Sequence, residues 1–299
     1  MAELVWCVPN FSEGRDQGVI DQIAAEVKAV EDVKFLGADP DPDHNRVVVS
    51  FVGTRAGVAE AAFRSVAKAA ELIDLNHHKG EHPRMGAADV VPFVPVQGVT
   101  MDDCVHVAHD VGERIGKELG IPVFLYEKAA SRPDRENLAN VRKGQFEGLR
   151  DMIGTDPERE PDYGPNAIHP TAGAVAVGAR MPLIAYNVNL GTDDVRIAKD
   201  IAKTVRHLSG GYRYVKAMGF EIKDRGIVQV SMNLVNYKAS PIHRVQETIR
   251  REAARYGVPV VGAEVVGLVP QEALVEAAKW YLQLEDFRAE QVLENRIWE

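Results

Sequence analysis

The chain has 299 residues, of which 45% are hydrophobic and 26% charged, with a formal net charge of −9; these values fit a folded globular protein and exclude a disordered one. No stretch approaches the roughly 20 apolar residues of a membrane-crossing helix, and the acidic balance argues against nucleic acid, whose binding rests on neutralising phosphates. The opening Met1 to Trp6 lacks the basic and long apolar regions of a secretory signal, so a cytoplasmic protein is expected.

Taken in order, Leu4 to Val8 reads as a strand, and Ile20, Ile23, Ala24 and Val27 mark the buried face of a helix. Two strands follow, Val33 to Leu36 and Arg46 to Val52. The alanine-rich Ala59 to Ile73 predicts a helix with Phe63, Val66 and Ala70 on one face. Val90 to Val96 is a strand interrupted by Pro92 and Pro95, which places it at an edge or a bulge. Thr100 with Asp103 resembles a capping box and opens a helix to Leu119, ended by Gly120. Ile121 to Tyr126 is the next strand.

The rhythm then repeats. Leu183 to Leu190 is a strand, and Thr192, Asp193 and Asp194 cap a helix running to His207. Tyr214 to Met218 is a strand. Ile227 to Tyr237 alternates, with Val228, Val230, Met232 and Leu234 on one side and Gln229, Ser231 and Asn233 on the other, the pattern of a strand with one buried face. Pro241 begins a helix to Tyr256, Val258 to Val266 is a strand, and Pro270 starts a last long helix. Each half therefore follows β-α-β-β-α-β order, predicting an α+β fold of two tandem ferredoxin-like subdomains with additional helices, residues 1–179 and 180–299. Asp156 to Gly178 is a long irregular segment, uncommon in a compact protein unless it lines a site.

Chemistry concentrates in His77-His78-Lys79-Gly80-Glu81-His82-Pro83-Arg84-Met85-Gly86. Imidazoles titrate near neutral pH, so this loop is a candidate acid–base site. His78, Glu81 and His82 also satisfy the H-x-x-E-H zinc pattern, which needs a helix to bring both imidazoles to one face. Gly80 and Pro83 disfavour that helix, and no metal is expected. Asp39 to Arg46 holds four acidic or imidazole groups among prolines and reads as an acidic connection between two strands. Tyr163 to Gly173 has glycines near both ends, which lets backbone approach a flat ligand closely. Neither G-x-G-x-x-G nor a Walker A sequence occurs, so no nucleotide cofactor is expected. Cys7 and Cys104 fall on apolar faces and are expected to be buried reduced thiols.

Val8-Pro9-Asn10-Phe11-Ser12-Glu13-Gly14, Gly80-Glu81-His82-Pro83-Arg84-Met85-Gly86 and Asp89-Val90-Val91-Pro92-Phe93-Val94-Pro95-Val96 resemble the glutamate formimidoyltransferase family. So do Asn187-Val188-Asn189-Leu190, Gln229 to Leu234 and Val266-Gly267-Leu268-Val269-Pro270, in colinear order over nearly the whole chain. The resemblance implies transfer of a formimidoyl group between N-formimidoyl-L-glutamate and tetrahydrofolate in histidine degradation, with tetrahydrofolate as co-substrate and a homodimer as the usual form. It implies His82 as the catalytic base and Asp39 as a second active-site group. It matches the family's folate-contacting stretch to Gly164, Pro165, Asn166, Ala167, Ile168, His169, Pro170, Thr171, Ala172 and Gly173. Some members carry an aromatic where this chain has Thr171-Ala172. Both substrates bear glutamate carboxylates, for which Arg46 and Arg84 are the candidate guanidinium partners. The length leaves no room for the cyclodeaminase domain of bifunctional relatives, so a stand-alone transferase is expected. Two other readings stay open: a formyl transferase using N-formylglutamate, and a non-catalytic folate-binding protein on the same scaffold.

Overall fold

The structure, a computed structural model, describes residues 3–80 and 83–298. Contacts divide it into two compact units, one ending at Arg180 and one beginning at Met181.

In the first unit the chain runs through β1 (Leu4–Cys7), β2 (Asn10–Phe11), α1 (Gln17–Lys28), β3 (Val33–Asp41), β4 (Arg46–Gly53), α2 (Arg55–Leu72) and β5 (Ala88–Gln97). These are followed by α3 (Met101–Arg114), β6 (Val123–Glu127), α4 (Leu138–Val141), α5 (Gln145–Met152) and β7 (Val175–Ala179). In space β3 lies beside β4, β4 beside β1 and β2, and β5 beyond them, all antiparallel. This is the ferredoxin-like order, extended by β7 and β6 pairing in parallel on the far side of β5. Helix starts are fixed by side chains: Asp16 accepts from Gly18 and Val19, Thr54 from Gly57, and Thr100 with Asp103 forms a complete capping box. Between them, Ile20, Ile23, Phe51, Val58, Val66, Phe93 and Val177 form a dry core on the helix-covered face of the sheet.

Of the edge or bulge expected at β5, the structure shows the bulge: the strand is interior. Pro92 is tolerated because its carbonyl alone is used there, accepting from Val8 at the break between β1 and β2. The expected bulge does occur: pairing jumps from Leu4 with Gln97 to Val5 with Pro95. The irregular segment before residue 178 also ends in a strand, β7, whose residues are buried on both faces. Strands of that kind show no alternation, which is why periodicity passed over it.

In the second unit β8 (Ile184–Leu190), α6 (Val195–Val205), β9 (Val215–Ile222), β10 (Ile227–Leu234), α7 (Ile242–Arg255) and β11 (Val260–Val266) build a sheet ordered β11-β8-β10-β9, followed by α8 (Gln271–Leu282) and α9 (Leu293–Trp298). Val228, Val230, Met232 and Leu234 face its core, as the alternation predicts. Gln229, on the other face, is also buried, with its amide donating to Asn189 and Glu264 at 2.9 and 2.8 Å. The fold class is thus α+β, with two tandem ferredoxin-like units.

Candidate active site

The histidine-rich loop leaves α2 and returns into β5, and both of its stems are tied down. On the incoming side His78 points Nε2 at the Asn45 carbonyl, 2.8 Å away. A carbonyl only accepts, so Nε2 carries the proton and Nδ1 is free to accept from Arg84 Nε at 3.2 Å. Asn45 itself sits at φ 48°, a conformation asparagine adopts more readily than most side chains. Its side chain joins three segments: Oδ1 accepts from Gly14 at 2.9 Å and Nδ2 donates to Lys79 at 3.1 Å. Gly14 and Gly80 pack so closely on the β3–β4 connection that an added Cβ would lie 2.3 Å from the Asp41 oxygen and 2.2 Å from the His44 oxygen.

On the outgoing side the Met85 amide donates to Asp89 Oδ1 at 2.9 Å, and Ser12 Oγ donates to the Gly86 carbonyl at 2.8 Å. The other oxygen of Asp89 accepts from Arg142, so this fully buried carboxylate ties α4 to the loop. Arg84 donates both terminal nitrogens to Glu147, at 2.8 and 2.6 Å, and its carbonyl accepts from Phe146. Hydrogen bonding to Arg84 holds the Glu147 carboxyl below the usual range. Glu81 and His82 themselves lie outside the described residues.

Gly86 forms an isolated bridge with Gly173. A Cβ on Gly86 would stand 1.9 Å from the Ala174 carbonyl, which is backbone and cannot rotate away. Gly86→Ala is therefore expected to destabilise the first unit by about 1–3 kcal/mol, read as a lower urea midpoint at unchanged slope. An unchanged midpoint would show that the bridge is not closed in solution.

The other sequence candidates distribute as follows. Asp39 is exposed on the edge strand β3, opposite Val48, and shares its face with Asp41, which pairs directly with Arg46. Arg46 lines a cluster with Ser12, Asn45, His78, Arg84 and Asp89 that encloses no space for a water molecule. Burial and the neighbouring Arg142 pull the Arg46 guanidinium below its ordinary value, against the pull of Asp89 and Asp41. Burial raises Asp41, but hydrogen bonds from His44 and Asp43 outweigh it and hold the carboxyl low.

Of the stretch from Gly164 to Gly173, the first part packs away from the loop: Gly164 has φ +83° and rests on the Ile121 carbonyl. Pro165, Asn166 and Ala167 are exposed, and Ile168 packs on the core. The second part meets the loop stems. Pro170 accepts from Asn76, Thr171 from Leu75 and Ala172 from Ala87, while His169 Nδ1 accepts from the Ala172 amide at 3.0 Å. Burial lowers the His169 pKa, which favours the neutral ring. Cys7 and Cys104 are both free and buried, and burial pushes Cys104 up to about 12, so neither offers a thiolate near neutral pH. Residues 78–80 are not helical, and among the described residues no group of three metal-ligating side chains forms.

Asn45, Asp89 and Arg142 are not singled out as site residues by the sequence. The signal for Asp89 was present, as a carboxylate inside an otherwise apolar strand; Arg142 gave none, because it stands among other exposed-looking cations.

These features define a tandem ferredoxin-like α+β protein carrying a histidine-rich loop pinned at both stems on its first unit. The chain belongs to the formiminotransferase domain family: residues 4–180 match the N-terminal subdomain and residues 185–296 the second formiminotransferase segment. Over 298 residues it is 53% identical to a glutamate formimidoyltransferase of Streptococcus pyogenes, covering 99% of both chains. It is 50% identical to that of Thermoplasma acidophilum over 98% of this chain and 97% of the other. The formimidoyltransferase-cyclodeaminase of Sus scrofa is 43% identical over 96% of this chain, which spans 54% of that longer protein.

Proposed function

We propose that this chain is a transferase that moves the formimidoyl group between N-formimidoyl-L-glutamate and tetrahydrofolate, yielding 5-formimidoyltetrahydrofolate and L-glutamate in histidine degradation. The observation that carries this reading is identity of half or more, over essentially full length, to two glutamate formimidoyltransferases. Tetrahydrofolate acts as co-substrate, and the working form is taken as a cytoplasmic homodimer.

The chemistry asks little beyond what the loop offers. N5 of tetrahydrofolate attacks the amidine carbon and forms a C–N bond, leaving N5 positively charged. His82 takes that proton and returns it to the glutamate nitrogen as the old C–N bond breaks. The neutral imidazole accepts the N5 proton, and the imidazolium so formed delivers it in the second step. Asp39, exposed at the sheet edge, holds the protonated amidine, and the Gly164–Gly173 stretch contacts the folate. Arg46 and Arg84 set the local positive field, though the described contacts already engage Arg84 with Glu147. Holding two substrates in register contributes more of the rate than the proton transfers do.

The donor is tested by comparing kcat/KM for N-formimidoylglutamate and N-formylglutamate with the same acceptor. The amidine is a cation and the formamide is neutral, so one charge-assisted hydrogen bond to Asp39 favours the former by about tenfold or more. Equal or reversed preference would replace this reading with a formyl transferase.

A further inference from the structure

Beside the loop, the first unit holds a cavity of about 460 Å³, within the size range of small-molecule sites. Asn76, Lys79, Gly80, Arg84, Phe146 and Arg150 contribute to its walls. His78, Lys79 and Gly80 of the histidine-rich loop contribute to its lining.

Its charge is unusual for a chain with a net charge of −9. Three cations line it against one carboxylate, Glu147, and Glu147 is already taken by the forked pair with Arg84. That leaves Lys79 and Arg150 to supply two positive charges. Lys79 makes no side-chain hydrogen bond or ion pair among the described residues, and it is exposed. Arg150 is held only loosely, its guanidinium 5.5 Å from the Phe146 ring and Nε 3.8 Å from Asp151. Asn76 Nδ2 donates to Asp74 and to the Pro170 carbonyl.

We propose that Lys79 and Arg150 bind the two carboxylates of a glutamyl group in this cavity and so set specificity for it. The inference rests on the transfer reading for the identity of the glutamyl group, which occurs both in the donor and in the tail of tetrahydrofolate. Two cations lining one cavity match a dicarboxylate in charge, and a guanidinium takes a carboxylate in a forked geometry.

Arg150→Gln and Lys79→Gln in the whole chain test this, with kcat and KM measured separately for each substrate. Loss of one charge-assisted contact should raise the relevant KM about tenfold or more, with a smaller change in kcat, and Arg150→Lys should recover part of it. If the donor occupies the cavity, KM for N-formimidoylglutamate rises and that for tetrahydrofolate does not. If the folate tail occupies it, KM rises for tetrahydrofolate but not for tetrahydropteroate, which lacks the glutamate. Unchanged KM values for both substrates, or a fall in kcat alone, would overturn the proposal. Glutarate binding by calorimetry, about tenfold weaker in either Gln variant, reads the cavity independently of turnover. A wild type that binds glutarate without transferring the group would therefore contradict the transfer reading and not this one.

Discussion

His82→Ala should lower the transfer rate by about 10²–10⁴ while leaving the fold and folate binding intact. The reason for expecting a purely chemical effect lies in the loop stems. His78, Asn45 and Lys79 secure one side; Met85, Asp89, Ser12 and Gly86 secure the other. None of those hydrogen bonds involves the His82 side chain. The thermal midpoint and tetrahydrofolate affinity of the variant should thus stay near wild type, with kcat carrying the loss. Retention of more than about a tenth of the wild-type rate would exclude a base worth even the low end of that range.

Asp89→Ala should produce the largest stability loss. Asp89 is 1% exposed, and its two oxygens serve Met85 and Arg142. Removing it leaves Arg142 and the nearby Arg46 as like charges in a dry site, which costs about 3–5 kcal/mol. For a unit of this size that corresponds to a drop of roughly 6–20 °C in the midpoint of its thermal unfolding. Because the two arginines then repel each other, Asp89→Ala combined with Arg142→Met should recover part of the loss. A midpoint lowered by less than about 2 °C, or no recovery in the double variant, would mean that this carboxylate is not the counter-charge of the cluster.

The repeated β-α-β-β-α-β order was legible because local signals agreed with the global fold. Thr100 and Asp103 close a capping box, and the alternation through Val228 to Leu234 fixes a buried face. β7 was not legible, since Val175–Ala179 is small, apolar and buried on both sides, leaving no period to read. The prolines of β5 signal an edge or a bulge; the bulge is present, and the strand is interior because β1 and β2 break beside Pro92. The loop of the candidate site stood out by composition alone. Its supports did not, because Ser12, Asn45, Asp89 and Arg142 come from four separate segments that only the sheet brings together. Likewise, the exposed Lys79 reads as an ordinary surface cation until Arg150 is found lining the same cavity.

The most direct measurement follows the carbon itself. The purified chain is incubated with tetrahydrofolate and N-formimidoylglutamate carrying ¹³C in the formimidoyl group, and the products are observed by NMR and mass. The account predicts that the labelled carbon appears on N5 of the folate, with its imino nitrogen, in step with release of free glutamate. Binding of tetrahydrofolate with the label remaining on glutamate would contradict it and leave a folate-binding protein on a transferase scaffold.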